Sequence, residues 1–175
     1  MLIRSRELRT IFGMTSTTPH SVHRVAAYLE MFTWGLLIFS MILKYSGTTE
    51  ALTPIAGGIH GFGFLCFLLM TALVWINNRW SLGVGILGLV VTVIPFAALP
   101  FAVWVSRRGL VAGPWRFSNA DDSEPHGVFD TILAQAIRHP VRTALIALLV
   151  VAVVFSVLLM VGPPVDVESA IENNR

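Results

Sequence analysis

The stretch IAGGIHGFGFLCFLLMTALVWI, residues 55–76, decides the fold. It carries one histidine and no charged side chain, and it meets the requirement of roughly 20 apolar residues for a helix to cross the hydrocarbon core of a bilayer. Working outward, three more such stretches appear: Val25 to Leu43 before it, Trp80 to Ser106 after it and Thr143 to Gly162 near the end of the chain. Main-chain N–H and C=O groups find no water in lipid, so each stretch is expected to be helical whatever its β-branched content. The expected fold class is all-α, a polytopic membrane bundle of about four transmembrane helices.

Composition agrees. Hydrophobic residues make up 55% of the chain and charged residues 13%, with a mean hydropathy of +0.74, far more apolar than an ordinary soluble domain. The net charge is only +2, and the basic residues are scattered through connecting segments. That distribution suits anionic lipid headgroups and argues against nucleic acid as a partner. Cys66 is the single cysteine and lies inside an apolar run, which excludes disulfides within the chain and cysteine-based metal sites. The first apolar run ends in Lys44-Tyr45 with no small-residue cleavage pattern, so it is read as a retained span and not as a signal peptide.

The edges of the stretches carry interfacial residues: Lys44-Tyr45 after the first, Arg79-Trp80 before the third, and Trp104 with Arg107-Arg108 at its end. Gly162-Pro163-Pro164 stops the fourth. The third stretch would be about 40 Å long as one helix, and it contains Pro95 and Pro100, so a kink or an irregular last turn is expected there.

Between the third and fourth stretches, Gly109 to Arg142 is polar, acidic and turn-rich over Ser118 to Pro125. From Val128 onward, Val128, Phe129, Ile132, Leu133, Ala136 and Ile137 recur at helical spacing, which predicts an interfacial amphipathic helix on the membrane surface. The same face would equally pack on the protein's own connecting loop or on a partner subunit.

With four spans and the N-terminus inside, Arg4, Arg6, Arg9, Arg24, Arg79 and Arg175 face Lys44, Arg107, Arg108, Arg116, Arg138 and Arg142 across the membrane. The sets are equal, so the positive-inside rule makes no choice. A re-entrant turn at Pro95 to Pro100 would put the N-terminus and the Arg107 to Arg142 segment on one side, and the charges favour that arrangement. Its two half-length limbs, however, could not span the core.

Few residues could carry chemistry. Glu30 lies about 9 Å along the helix from Arg24, inside the membrane boundary, where a carboxylate should not face lipid. Arg24 and Arg79 are its expected partners in a structural ion pair; the alternative is a proton-carrying group. His60 shares a helix face with Gly57 and Gly61, whose G-x-x-x-G spacing lets another helix approach closely. The other histidines, His20, His23, His126 and His139, are placed outside the spans, so His60 is read as a packing histidine and not as a metal or haem ligand. Lys44 and Tyr45 close the first span on the side from which the second starts, with interfacial anchoring as their default role. Gly83, Gly85 and Gly88 lack the spacing of a phosphate loop and are expected to permit tight packing.

Taken together, Arg24 and Glu30, Leu43-Lys44-Tyr45, Ile59-His60-Gly61, Asn78-Arg79-Trp80 and a proline-containing third span ending in Arg107-Arg108 resemble the YdzA-like family of small bacterial integral membrane proteins, marked by a His-Gly dipeptide. The resemblance covers roughly Val22 to Leu110. It implies a three-helix unit in which Arg24, Glu30, Lys44, Tyr45, His60 and Gly61 matter, and it implies no activity, cofactor or substrate. The chain departs from the family pattern at Met31, where a glycine is usual after the glutamate, and at Ser106, where an acidic residue often precedes the arginines. On this reading the chain comprises a polar N-terminal tail, 1–21, and the three-span unit, 22–110. A connecting segment with the amphipathic helix, 111–142, a fourth transmembrane helix, 143–162, and an acidic C-terminal tail, 163–175, complete it.

The chain has no H-E-x-x-H, no C-x-x-C, and no embedded nucleophile–base or carboxylate pair. The expectation is therefore a non-catalytic multi-pass protein of the bacterial plasma membrane, without a cofactor, serving as an accessory or structural subunit among other membrane subunits. A concrete version is an accessory subunit of an actinobacterial respiratory assembly joining the cytochrome bc complex to cytochrome oxidase, suggested by small size, lack of chemistry and the actinobacterial character of the sequence. The alternative is a small transporter or proton-conducting module using Glu30, Lys44 and His60.

Overall fold

The computed structural model describes residues 18–118 and 124–161. The N-terminal tail up to residue 17, the middle of the acidic segment and the C-terminal tail lie outside the described residues, as does the Gly162-Pro163-Pro164 stop. The regular elements among the described residues are all helices, and the chain divides into two compact units, Met1–Arg138 and His139–Arg175.

Helix α1, Pro19–Tyr45, opens on a capping box. The Ser21 N–H donates to Thr18 Oγ1 at 3.2 Å and the Thr18 N–H donates to Ser21 Oγ at 3.0 Å, which satisfies donors that the first helical turn leaves without partners. Pro19 sits in the first turn, where its missing N–H costs nothing. A short turn through Gly47, at φ +73°, leads into helix α2, Leu52–Asn78. Each helix of 27 residues is about 40 Å long, and both are long and apolar enough to cross a membrane.

These two helices pack antiparallel, and the seam between them inverts the pattern of a soluble hairpin. The buried positions of α1 are Pro19, His23, Ala26, Ala27, Glu30, Thr33 and Ser40, and those of α2 are Ala56, Gly63, Phe67, Thr71, Val74 and Asn77. Apart from Phe67 and Val74, small and polar side chains fill these buried positions, while Val25, Phe32, Phe39, Ile42, Ile55 and Phe62 face outward. Lipid solvates leucine and phenylalanine as well as a protein core does, so helix pairing in a membrane is driven by close contact and hydrogen bonds.

The third apolar stretch does not form one long helix. It consists of α3, Leu82–Val90, a 3₁₀ turn, Val91–Val93, a break through Pro95, and α4, Ala98–Arg107. Phe96 adopts φ +62° within the break, and Pro100 falls in the first turn of α4, where a prolyl ring is tolerated. The two limbs form a hairpin. Gly88 lies against both Thr71 of α2 and Phe101 of α4, Phe101 reaches back to His23 and Trp80, and the Trp80 indole N–H donates to Leu110 O at 2.6 Å. The chain therefore leaves α4 at the same end of the α1–α2 pair from which it entered α3. This corrects the expected kinked span: neither limb approaches the roughly 30 Å of a hydrocarbon core.

Helix α5, Gly127–Arg138, is the predicted amphipathic helix. Leu133 and Ala134 are buried with Phe117 against Leu73, Ile76, Trp115 and Ile137, so part of its apolar face packs on the protein itself. Val128, Phe129 and Ile132 remain exposed. The second unit contains α6, Pro140–Val161, an apolar helix with no buried residue among those described. Among the described residues, Gly127–Arg138 taken together with Pro140–Val154 counts, by length and composition, as one further candidate crossing beyond α1 and α2.

Candidate functional site: a polar seam within the helix pair

On α1, His23, Ala27, Glu30, Thr33 and Ser40 recur at intervals that keep them on one face, and that face carries the polar groups that α1 contributes to the seam. Glu30 is completely buried. Its Oε2 lies 4.0 Å from His60 Nδ1 on α2, and Thr33 sits between them. Thr33 Oγ1 is 3.0 Å from the Glu30 main-chain oxygen, 3.4 Å from Glu30 Oε2 and 3.3 Å from His60 Nδ1. One hydroxyl proton cannot serve all three, and the shortest contact takes it, so Thr33 donates to Glu30 O. The tautomer consistent with that network has His60 Nδ1–H donating to Thr33 Oγ1.

The surroundings are tight. The Trp34 ring packs at 4.3 Å from the His60 ring, tilted by 50°. A Cβ added at Gly63 would stand 2.8 Å from Thr33 Oγ1 and 3.4 Å from Glu30 Oε2, so Gly63 is where the helices approach most closely around this cluster. Glu30 Oε1 and Trp34 Nε1 are both buried.

A second polar group occupies the same seam near the start of α1. His23 is 1% exposed, with Nε2 3.3 Å from Thr71 Oγ1 and its ring stacked on Phe67 at 5.4 Å. Trp80 and Phe101 close around it edge-on. His23 is thus inside the helix pair and not outside the spans. The sequence does carry a signal for it: His23 precedes Glu30 by seven residues, which is the same face two turns earlier. Between the two groups lie Ala26, Ala27 and the fully buried Phe67, so about 10 Å of apolar packing separates them.

The remaining predicted residues are placed elsewhere. Arg24 donates from Nη2 to Tyr28 Oη at 3.3 Å and lies over the Tyr28 ring; six residues from Glu30, it is rotated about 240° around the helix and cannot share its face. Arg79 ends α2 in the left-handed region at φ 50° and is exposed, about 28 Å along the helix from His60. Neither arginine pairs with Glu30. Lys44 pairs at 3.6 Å with Glu50 in the turn, on the surface, and Tyr45 is exposed. Gly57 has nothing within 4 Å of an added Cβ and Gly61 is half-buried, so the close approach occurs at Gly63, beyond the G-x-x-x-G pair. No three of His, Cys, Asp and Glu come together to hold a metal among the described residues.

At the end of the unit shared by the start of α1 and the end of α2, Arg116 organises the connections. Its main-chain N–H donates to Asn77 Oδ1 at 2.8 Å, its Nε to Asn77 O at 2.9 Å and its Nη2 to Ile76 O at 2.7 Å. Nη2 also donates to Asp130 Oδ1 of α5 at 2.8 Å. That hydrogen bond holds the Asp130 carboxyl below the usual carboxylate range. A cation placed on the last carbonyls of α2 complements the negative end of the helix.

No solved structure matches this chain. A protein of Streptomyces coelicolor strain A3(2) carrying the name "Putative membrane protein SCO5905" is 38% identical over 90 residues, which are 50% of this chain and 11% of that one. The match thus spans about a tenth of the length of that curated relative. Residues 20–107 match the family profile described as "Domain of unknown function (DUF3817)". They run from the first turn of α1 to the end of α4 and make up 88 of the 175 residues, so this helical membrane protein belongs to the DUF3817 family.

Proposed function

We propose that the chain is a non-catalytic, multi-pass module of the bacterial plasma membrane that serves as an accessory or structural subunit of a larger membrane complex. The observation that carries this reading is the inverted seam. The buried polar side chains His23, Glu30, Thr33 and Thr71 lie between α1 and α2, and the outward apolar faces are left for lipid and for neighbouring apolar helices. The relative adds support, since there a segment like this one is a tenth of a longer chain. In this reading α1, α2 and α6 cross the membrane and the α3–α4 hairpin is re-entrant, three crossings in place of four. The YdzA-like resemblance fits a structural role through Ile59-His60-Gly61, because His60 closes the seam against Glu30 and Trp34.

The concrete version, a subunit between a cytochrome bc complex and cytochrome oxidase, draws on small size, lack of chemistry and the actinobacterial character of the sequence. Affinity purification of the full chain from a mild detergent extract tests both levels. Other membrane subunits are expected in fixed proportion, with haem absorbance in the respiratory case. A protein that emerges alone or as a homo-oligomer overturns the subunit role.

The second reading, a proton-conducting module using Glu30, Lys44 and His60, draws on the fully buried Glu30 carboxyl beside His60. Against it, Phe67 and the alanines interrupt the polar line toward His23, and Lys44 is paired at the surface. Purified protein in liposomes is therefore expected to carry no proton flux above empty vesicles, for both the unaltered chain and Glu30→Gln. A flux that Glu30→Gln abolishes would move the assignment to conduction.

A further inference from the structure

Once the α3–α4 hairpin returns to its starting end, the charge distribution is no longer balanced. Arg24, Arg79, Arg107, Arg108, Arg116 and Arg138 all belong to the end of the Met1–Arg138 unit where α1 begins and α2 finishes. This follows from the contacts Trp80–Leu110, Arg116–Asn77 and Arg116–Asp130 and from the packing of Leu73, Ile76 and Ile137 around one cluster of Phe117, Leu133 and Ala134. The opposite end carries Lys44, already paired with Glu50.

Two of these arginines are committed, Arg24 to Tyr28 and Arg116 to the end of α2 and Asp130. Arg79, Arg107, Arg108 and Arg138 are exposed, and no carboxylate forms an ion pair with them among the described residues. Trp80, Trp104 and Trp115 lie at the same end, with the Arg108 guanidinium 5.5 Å over the Trp104 ring; tryptophans beside cations mark the headgroup level of a bilayer. Helix α5 is docked there by Leu133 and Ala134, which leaves Val128 and Phe129, 72% and 71% exposed, beside the arginines. The hairpin tip exposes Val93, Ile94 and Phe96, side chains that fit hydrocarbon.

The geometry points to this end as a binding surface for anionic phospholipid in the cytoplasmic leaflet. Arg107, Arg108 and Arg138 meet the phosphates, and Val128, Phe129 and Ile132 enter the boundary between headgroups and acyl chains. Basic residues flanking spans are retained on the cytoplasmic side, and that leaflet supplies the opposite charge. The inference rests on membrane insertion but not on the subunit role, so either can fail without the other.

Two measurements on the full chain test it. In a Cys66→Ala background, Thr49→Cys in the α1–α2 turn is expected to react with a membrane-impermeant maleimide on intact cells, and Ala112→Cys only after permeabilisation; the reverse pattern overturns the proposal. In detergent, phosphatidylglycerol is expected to raise the thermal unfolding midpoint by several degrees more than phosphatidylcholine does. The variant Arg107→Gln/Arg108→Gln/Arg138→Gln should lose that difference while keeping its midpoint in phosphatidylcholine. Equal shifts from the two lipids, or an undiminished difference in the variant, overturn it.

Discussion

Gly85→Ala is expected to destabilise the Met1–Arg138 unit by about 3 kcal/mol, near the top of the range for overpacking a filled site. A methyl group at Gly85 would overlap the Trp75 indole. The ring cannot simply swing aside, because its N–H donates to Trp80 O at 3.0 Å and it packs against the buried cluster around Phe67, Val74 and Phe101. Gly83→Ala, two residues earlier on the same short helix, meets nothing within 4 Å and should be neutral or mildly stabilising through helix propensity. The same substitution is thus costly at one glycine of a G-x-G pair and harmless at the other. Unfolding of the purified protein in detergent by heat or by added denaturing detergent reads the difference. If Gly85→Ala proves as mild as Gly83→Ala, the hairpin does not lie against α2 as described.

Arg116→Ala is expected to release α5 from the end of α2, at a cost of about 2–3 kcal/mol, the scale of losing charge-assisted hydrogen bonds at a partly shielded site. The variant leaves the carbonyls of Ile76 and Asn77 and the Asp130 carboxylate without their guanidinium donor. Hydrogen exchange should rise across Gly127–Arg138 while α1 and α2 stay protected. Arg116→Lys should not restore protection, because a single ammonium cannot reproduce the fork that reaches two carbonyls and a carboxylate. Acid should reproduce part of the effect. The Asp130 pKa is lowered in the folded state, first by the Arg116 hydrogen bond, so its contribution is complete above the ordinary carboxylate range. It is lost as the pH falls through the lowered value. Exchange in α5 that is unchanged in Arg116→Ala would show that Leu133 and Ala134 alone hold the helix.

The candidate site is partly legible in the sequence. Glu30 and His60 stand out as polar groups in apolar stretches, and an intramembrane carboxylate calls for a partner. Charge points to Arg24 or Arg79 as that partner, whereas helical phase excludes Arg24 and distance excludes Arg79. Phase also singles out His23, seven residues before Glu30, but its place near the end of an apolar run makes it look external. Gly63 is inconspicuous beside the G-x-x-x-G spacing of Gly57 and Gly61, since spacing within one helix does not say which face the neighbour occupies.

Residue composition alone determined that the chain is helical and belongs in a membrane. The free energy of moving apolar side chains into lipid is a sum over residues, and a main chain in hydrocarbon has to bond to itself; both can be read along one line of sequence. For that reason Val25 to Leu43 and Ile55 to Ile76 fall inside α1 and α2. Only the tertiary structure decided that Trp80 to Ser106 turns back at Pro95 instead of crossing, that Glu30 meets His60, and that six arginines share one end. These depend on the direction of each helix and on which side chains meet between them, such as Gly85 against Trp75. A hydropathy sum is the same whether a stretch crosses the bilayer or turns around inside it.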